Sequence, residues 1–260
     1  MPLRIGIAGI SGRMGQLLTE EVQAAGATLA GGTARRDVPG AKLFPTVAAL
    51  AAASDAVIDF TNAATAQDTA GAMAASGKAW ILGSSGLSAE DEAGVAAAAK
   101  TIAVVYAPNF APGVNLVLAL AERMAAALPG ESYDAEIVEM HHRQKVDAPS
   151  GTAIGLGRAV AKGRNVNLAD VMESGRNGHT GPRKPGAIGF AALRGGQVVG
   201  EHTLLFASPT EHISLTHRAF DRRAFATGAV QAALWAVQQK PGLYSMRDVL
   251  GMGTAGGASK

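Results

Sequence analysis

Short apolar runs alternate with stretches of helical periodicity through residues 4–106. The first run, Arg4–Ala8, leads through a glycine cluster into residues 16–22, where apolar residues recur at the spacing of one helix face. The same pattern predicts strands at 27–33, 56–60, 79–82 and 102–106 and helices at 47–53, 63–75 and 88–100. This alternation predicts an α/β fold with a Rossmann-like, doubly wound parallel sheet and helices on both faces.

The pattern changes in the second half of the chain. It predicts helices at 113–128 and 153–161, a strand at 133–140, and a long loop at 163–184. Strands at 187–193, 198–207 and 212–219, with a hairpin turn at 194–197, predict an antiparallel-rich sheet. A last helix at 225–238 is assigned back to the first domain, and residues 251–260 are expected to form a frayed tail. We therefore predict one domain from residues 1–111 plus 222–260 and a second, α+β domain at 112–221.

Composition narrows the class of protein without indicating a reaction. The chain of 260 residues lacks cysteine, which excludes disulfides and thiolate chemistry and permits a reducing compartment. The net charge is only +2 and no run of basic residues is longer than a pair, so nucleic acid is not an expected partner. Pro108, Pro112 and Gly113 interrupt the uncharged stretch at 101–121, so no membrane span is expected. The first residues lack a signal-peptide pattern, and we expect a cytoplasmic protein.

A glycine-rich turn links the first predicted strand to the first helix. Its spacing, Gly9-x-x-Gly12-x-x-Gly15, is weaker than the standard dinucleotide pattern, but its position between strand and helix favours a pyrophosphate site. An ordinary strand-to-helix turn is the alternative. The predicted cofactor-binding residues here are Gly9, Ile10, Ser11, Gly12, Arg13 and Met14.

Two arginines follow the second predicted strand, where many dinucleotide folds carry an acidic residue for the ribose. Arg35 and Arg36 precede the first acidic residue, Asp37. Because a guanidinium pairs bidentately with phosphate, we predict NADPH as the preferred cofactor, with Arg35 as the main contact and NADH as the second choice. A solvated pair of surface arginines is the alternative.

Two further loops follow predicted strands, at the carboxyl ends where ligands bind in such sheets. We expect both loops to line the nicotinamide, although Phe110 equally fits a core aromatic between domains. The predicted residues are Gly83, Ser84 and Ser85 after one strand, and Ala107, Pro108, Asn109 and Phe110 after the other.

The densest cluster of charged residues lies at 136–147, shortly before a predicted helix start. His141 can donate a proton near neutral pH, and Lys145 can neutralise a carboxylate or act as an acid. Ser150 and Thr152 then open the helix with hydroxyls and backbone N–H groups that suit an anion. The pattern predicts a cradle for a small dicarboxylate substrate, whereas two histidines held by neighbouring backbone groups are the alternative.

Neither a metal site nor hydrolase chemistry is indicated. His141 and His142 are adjacent rather than spaced as paired ligands, and the other histidines are scattered, with His202 and His212 interpreted as polar faces of strands. A Gly-x-Ser-x-Gly nucleophile turn is absent from the sequence.

These motifs resemble those of the dihydrodipicolinate reductase family of bacterial lysine and diaminopimelate biosynthesis, also called the 4-hydroxy-tetrahydrodipicolinate reductases. The resemblance covers nearly the whole chain. The matching segments are 9–15, 59–61, 83–86, 109–110, 113–115, 141–153, 178–181, 185–190, 199–203 and 246–250.

The resemblance implies NAD(P)H-dependent reduction of 4-hydroxy-tetrahydrodipicolinate to tetrahydrodipicolinate with loss of water. It implies that His141 is the acid or base and that Lys145 is the proton donor. The residues implied to hold the substrate carboxylates are His142, Ser150, Gly151 and Thr152. The resemblance also implies a cytoplasmic homotetramer built through the sheets of the substrate domain, and hinge closure between domains.

Two positions depart from the family pattern. Ala34 stands where many members carry an acidic residue, which favours NADPH over dual cofactor use, and Ala111-Pro112 replaces the more usual pair at the domain boundary. Two other functions stay open: an NADP-binding regulator without turnover, and a reductase of another small di-acid. The histidines, lysine and hydroxyls argue against a regulator, but a carboxylate cradle does not distinguish one di-acid from another.

Overall fold

The computed structural model describes residues 1–253, which divide into two compact units. The first unit consists of Met1–Pro112 together with the chain from Arg223 onward, and the second is Gly113–Arg222. The boundaries expected from the sequence fell at 111/112 and 221/222. Of the frayed tail expected at 251–260, residues 254–260 lie outside the described part of the chain.

A six-stranded sheet forms the centre of the first unit. Its strands are β1 (Arg4–Ala8), β2 (Thr28–Thr33), β3 (Ala56–Asp59), β4 (Ala79–Leu82), β5 (Ala103–Tyr106) and β11 (Gly242–Tyr244). All neighbours are parallel, in the order β11-β5-β4-β3-β1-β2. The strands read as continuous apolar runs because both faces of the sheet are covered, which confirms the predicted doubly wound, Rossmann-like fold.

Helices pack on both faces of this sheet. They are α1 (Arg13–Ala24), α2 (Val47–Ala52), α3 (Ala66–Ser76), α4 (Ala89–Ala98), α8 (Arg223–Ala236) and α9 (Met246–Val249). Helices α1 and α8 pack with Ile7, Ile58 and Ile81 on one face, while Leu50 of α2 and Met73 of α3 belong to the core on the other. The sequence missed β11, because a strand of three residues is too short to show a period.

A five-stranded mixed sheet forms the second unit. Its strands are β6 (Asp134–His141), β7 (Met172–Ser174), β8 (Ile188–Arg194), β9 (Gly200–Ala207) and β10 (His212–Ala219), and its helices are α5 (Pro112–Ala127), α6 (Gly151–Gly163) and α7 (Leu168–Val171). The order is β10-β9-β6-β8-β7. Helices α5 and α6 cover one face, where Ala121 and Leu156 pack against Ile137, Leu204 and Phe206.

The predicted hairpin between β8 and β9 is wrong. Strand β6 lies between them, parallel to β8 and antiparallel to β9, so two of the four pairings in this sheet are parallel and it is mixed rather than antiparallel-rich. Residues 195–199 instead cross the end of β6, where the N–H of Gly195 donates to the carbonyl of His141 (3.0 Å) and the N–H of His142 to the carbonyl of Val198 (2.8 Å). The Gly-rich turn is a local signal and does not show which strand lies between β8 and β9.

The long loop expected at 163–184 is also partly wrong. It contains α7 and β7, and β7 pairs in parallel with β8 at the edge of the sheet. Both elements are only three or four residues long, and Asn167 caps α7 by accepting from the N–H of Ala169 (3.2 Å). Such short elements are stabilised by their neighbours rather than by their own periodicity.

Candidate active site

The glycine turn after β1 has the geometry of an anion-binding turn. Gly9 adopts a φ of +77°, and the N–H of Gly12 donates to its carbonyl at 2.9 Å. A Cβ on Gly15 would lie 2.4 Å from the carbonyl oxygen of Ile10, so a side chain there is excluded by backbone. Gly12 caps α1 without a side-chain hydrogen bond, which leaves the first N–H groups of the helix to a ligand.

The other residues predicted to bind a cofactor gather at the same edge of the sheet. They follow the carboxyl ends of β2, β4 and β5, which run parallel to β1. Arg35 is exposed, and within residues 1–253 it forms no ion pair. Ser84 is buried, and its Oγ has no hydrogen-bond partner among residues 1–253. The side chain of Phe110 belongs to the core of the first unit, and its ring centroid lies 5.5 Å from that of Phe60.

A buried carboxylate, Asp59, ends β3 at this edge and was not singled out by its chemistry in the sequence. The N–H and hydroxyl of Thr61 donate to its Oδ1 at 2.9 and 2.6 Å. Burial raises the pKa of Asp59, although these two hydrogen bonds oppose the shift. The predicted strand at 56–60 includes Asp59, but strand periodicity does not show that its carboxylate is buried and hydrogen-bonded.

Glu139 is the centre of the polar cluster in the second unit. It is 2% exposed, and its Oε2 lies 2.6 Å from Nδ1 of His141. The guanidinium of Arg194 donates to both carboxylate oxygens at 2.8 Å, and the N–H of Ser150 donates at 3.1 Å. Burial by itself would raise the pKa of Glu139, but the hydrogen bonds from Arg194 and His141 outweigh it and the pKa is lowered. The carboxylate is therefore ionised at neutral pH.

His202 completes this cluster, and its interpretation as a polar strand face is wrong. It is 4% exposed, its Nε2 lies 3.0 Å from Oγ of Ser150, and its ring meets that of His141 edge-on at 5.0 Å between centroids. Burial, followed by the neighbouring His141, lowers its pKa to about 4. On β9 the side chains of His202, Leu204 and Phe206 face the helices, whereas His212 on β10 is exposed as expected. Alternation alone does not show which of its two faces a strand buries.

The residues predicted as a carboxylate cradle lie at the start of α6. Ser150 is the N-cap and accepts from the N–H of Ala153 at 3.2 Å, while Gly151 and Thr152 form the first turn. Because the hydroxyl of Ser150 also contacts His202 and its N–H contacts Glu139, the helix start and the histidine cluster form one network.

His142 and Lys145 occupy the loop between β6 and α6. His142 follows the last residue of β6, is half-buried, and has a buried Nδ1 without a hydrogen-bond partner. The Nζ of Lys145 pairs with Asp147 at 2.8 Å. The structure thus links His141 to Ser150 through Glu139 and His202, and it places His142 and Lys145 in the adjoining loop.

Residues 1–253 contain neither a cluster of metal ligands nor a membrane-spanning helix. No group of three or more His, Asp or Glu side chains there is arranged to hold a metal ion. In the same range, every helix is too short or too polar to cross a bilayer.

The chain matches both family models of this enzyme class. The model described as dihydrodipicolinate reductase, N-terminus, covers residues 3–110, and the one described as dihydrodipicolinate reductase, C-terminus, covers residues 113–250. The 4-hydroxy-tetrahydrodipicolinate reductase of Granulibacter bethesdensis is 69% identical over 255 residues, which span 96% of this chain and 97% of the relative. The enzyme of the same name from Gluconacetobacter diazotrophicus is 61% identical over 250 residues, spanning 96% and 98%.

A solved structure shares the fold. The dipicolinate-bound dihydrodipicolinate reductase from Paenisporosarcina sp. TG-14 superposes with a TM-score of 0.79 at 23% identity, over 94% of this chain and 98% of that one. The resemblance predicted from the motifs is therefore confirmed by models that span nearly all of the sequence. This chain belongs to the dihydrodipicolinate reductase family.

Proposed function

We propose that this protein reduces 4-hydroxy-tetrahydrodipicolinate to tetrahydrodipicolinate with loss of water, using a reduced nicotinamide cofactor, in lysine and diaminopimelate biosynthesis. The observation that carries the proposal is the network at the start of α6, where His141, Glu139 and Ser150 are joined by hydrogen bonds. Relatives at 69% and 61% identity are named for this reaction, which supports the same substrate here.

The first unit is the proposed dinucleotide-binding domain. Two observations fit a dinucleotide: the backbone at Gly15 excludes a side chain, and Ser84 carries a buried, unpartnered hydroxyl. The N–H groups at the start of α1 would hold the pyrophosphate, and the loops after β4 and β5 would hold the nicotinamide. When bound, the reduced nicotinamide supplies the hydride.

NADPH is the proposed preferred cofactor. Arg35 lies just beyond β2 and is exposed, so its guanidinium is available to a 2′-phosphate. We expect Arg35→Ala to lower the ratio of kcat/KM for NADPH over NADH about tenfold, which corresponds to about 1.4 kcal/mol. Lys100→Ala, at an exposed lysine after α4, should leave the ratio unchanged. A native enzyme that prefers NADH would contradict the assignment.

The second unit is the proposed substrate domain. Backbone N–H groups at Gly151 and Thr152 and the side chain of His142 would bind the substrate carboxylates, because a helix N-terminus carries partial positive charge. His141 and Lys145 would exchange the proton with the reacting ring: Glu139 holds the ring of His141 through its Nδ1, and Lys145 lies in the loop that follows.

Removal of the two proposed acids tests the function. We expect His141→Gln and Lys145→Ala to lower kcat about 10²-fold or more while NADPH binding, followed by fluorescence, stays unchanged. Lys100→Ala is the matched control and should keep native turnover. If both site variants kept near-native kcat, the catalytic assignment would be wrong.

The same assays separate the two alternative functions. A wild-type protein that binds NADPH but turns over no dicarboxylate would be a regulator. Turnover of another di-acid, without activity on the substrate made in situ, would assign the same site to a different reductase.

A cytoplasmic homotetramer is the proposed assembly, as the family resemblance implies. The sheet of the second unit supports it, since its outer face presents Val138 at 41% and Leu193 at 51% exposure on neighbouring strands. Exposed apolar side chains on an uncovered sheet face favour contact with another sheet.

A further inference from the structure

We propose that Glu139 is a positioning residue that fixes the tautomer of His141 and anchors the first residue of the substrate cradle. The proposal rests on the acid–base role of His141 proposed above. It assigns a role to a carboxylate that neither binds substrate nor lies on the surface, and it explains why a charge is buried at this point of the fold.

Both oxygens of Glu139 are fully engaged. Oε2 contacts Nδ1 of His141 (2.6 Å) and Nη1 of Arg194 (2.8 Å), while Oε1 accepts from Nη2 of Arg194 (2.8 Å) and from the N–H of Ser150 (3.1 Å). Burial of an unpaired carboxylate costs several kcal/mol, so these contacts are what keep the group ionised in place.

An ionised carboxylate only accepts hydrogen bonds, which decides where the proton of His141 sits. With Nδ1 carrying hydrogen toward Glu139, Nε2 is left to exchange a proton with a ligand. Nε2 faces Gly200, where a Cβ would lie only 3.0 Å away. The reactive nitrogen therefore points to a place that lacks a side chain.

Charged and titratable groups surround this pair. Arg194 of β8 contacts Glu139 and His202 of β9 contacts His141, while His217 of β10 and Lys145 of the loop before α6 lie near His202. Arg194 also donates to the carbonyl of Asp147 at 2.7 Å, so one ion pair ties the loop, the helix start and the histidine together.

Glu136 provides a matched comparison on the same strand. It pairs with two arginines, Arg176 at 2.9 Å and Arg183 at 2.8 Å, but contacts no histidine. Removing its charge therefore costs two partly exposed ion pairs without changing His141, which separates a loss of stability from a loss of positioning.

The experiment combines NMR of the protein without ligands with steady-state kinetics. In ¹⁵N-histidine-labelled wild-type protein, the His141 signals are assigned from their loss in His141→Gln, and we expect the Nδ1–H tautomer. In Glu139→Gln we expect that tautomer to lose population and kcat to fall at least about tenfold, because loss of a tautomer-fixing carboxylate costs up to about 10⁴ in serine-protease-type triads. The KM for NADPH should not change.

Glu136→Gln should keep both the His141 tautomer and kcat. Wild-type His141 in the Nε2–H tautomer would overturn the proposal without any variant, as would equal losses of kcat in Glu136→Gln and Glu139→Gln. Native kcat in His141→Gln would remove the acid–base role and the positioning role together. Loss of kcat in His141→Gln with native behaviour of Glu139→Gln would remove the positioning role alone.

Discussion

Burial and hydrogen-bond partners together decide the charge of side chains in the second unit. Glu139 is buried and ionised because its hydrogen bonds to Arg194 and His141 outweigh the effect of burial on its pKa, whereas burial and the neighbouring His141 lower the pKa of His202. Two residues of similar exposure therefore differ in charge at neutral pH: Glu139 is ionised and His202 is neutral.

The neutrality of His202 makes stability depend on pH. Its pKa is lowered from 6.5 to about 4 in the folded chain, so the unfolded chain binds the proton first as pH falls. Neutral His202 therefore stabilises the folded chain fully above pH 6.5. Between pH 6.5 and 4 the free energy of unfolding falls, by at most about 3 kcal/mol. We expect His202→Gln to flatten this fall in the free energy of unfolding, measured by urea titration at several pH values.

His212→Gln is the control for that measurement. His212 lies on the neighbouring strand but is exposed, so its replacement should leave the pH dependence as in the wild type. If the free energy of unfolding of His202→Gln falls with pH as steeply as that of the wild type, other groups cause the acid sensitivity.

At the start of α6, the helix cap coincides with the proposed substrate cradle. Ser150 and Ser88 both cap helices by accepting from the third backbone N–H, but only Ser150 also contacts a histidine. Ser150→Ala and Ser88→Ala should each lower the free energy of unfolding by about 1 kcal/mol. Only Ser150→Ala should also raise the KM for the dicarboxylate substrate.

That comparison needs both stability and kinetics on the same preparations. Equal stability losses with an unchanged KM in Ser150→Ala would show that this serine is only a cap. A raised KM in Ser88→Ala would show that capping elsewhere affects the site, and would remove Ser150 from the cradle.

The crossing of residues 195–199 over β6 is the second feature at this scale. It hydrogen-bonds to the backbone of His141 and His142, so the connection that reads as a hairpin in the sequence holds the end of the strand that carries both histidines. Strand order therefore contributes directly to the placement of the proposed acid.

For the whole molecule, the proposed tetramer predicts that one charge introduced on the outer face of the second sheet weakens assembly. Leu193 on β8 and Leu243 on β11 are similarly exposed, at 51% and 52%, but only Leu193 lies on the outer face of the second sheet. We expect Leu193→Glu to lower the mass measured by sedimentation velocity, because a buried unpaired carboxylate opposes assembly. Leu243→Glu should sediment as the wild type does.

A wild-type protein that sediments as a monomer would contradict the proposed tetramer. A tetramer that persists in Leu193→Glu would place the contact on a different surface.

Much of the fold was predictable because local physics determines it. The alternating strands and helices of the first unit, the glycine turn before α1 and the helix start at Ser150 all follow from periodicity and from turn and cap chemistry within a few residues. The residue types at His141 and Lys145 likewise indicated proton chemistry before any contact was known.

Contacts between distant residues were decided only by the tertiary structure. Arg194 meets Glu139 across 55 positions and His202 meets Ser150 across 52, and neither partnership has a local signal. The insertion of β6 between β8 and β9, and the choice of which strand face is covered, depend on how apolar surfaces pack together. The longer helices and strands and the kinds of chemistry available follow from local sequence, because those arise within a turn or two of chain. The packing of remote segments determined which side chains are buried, charged and in contact, because burial is a property of the assembled core.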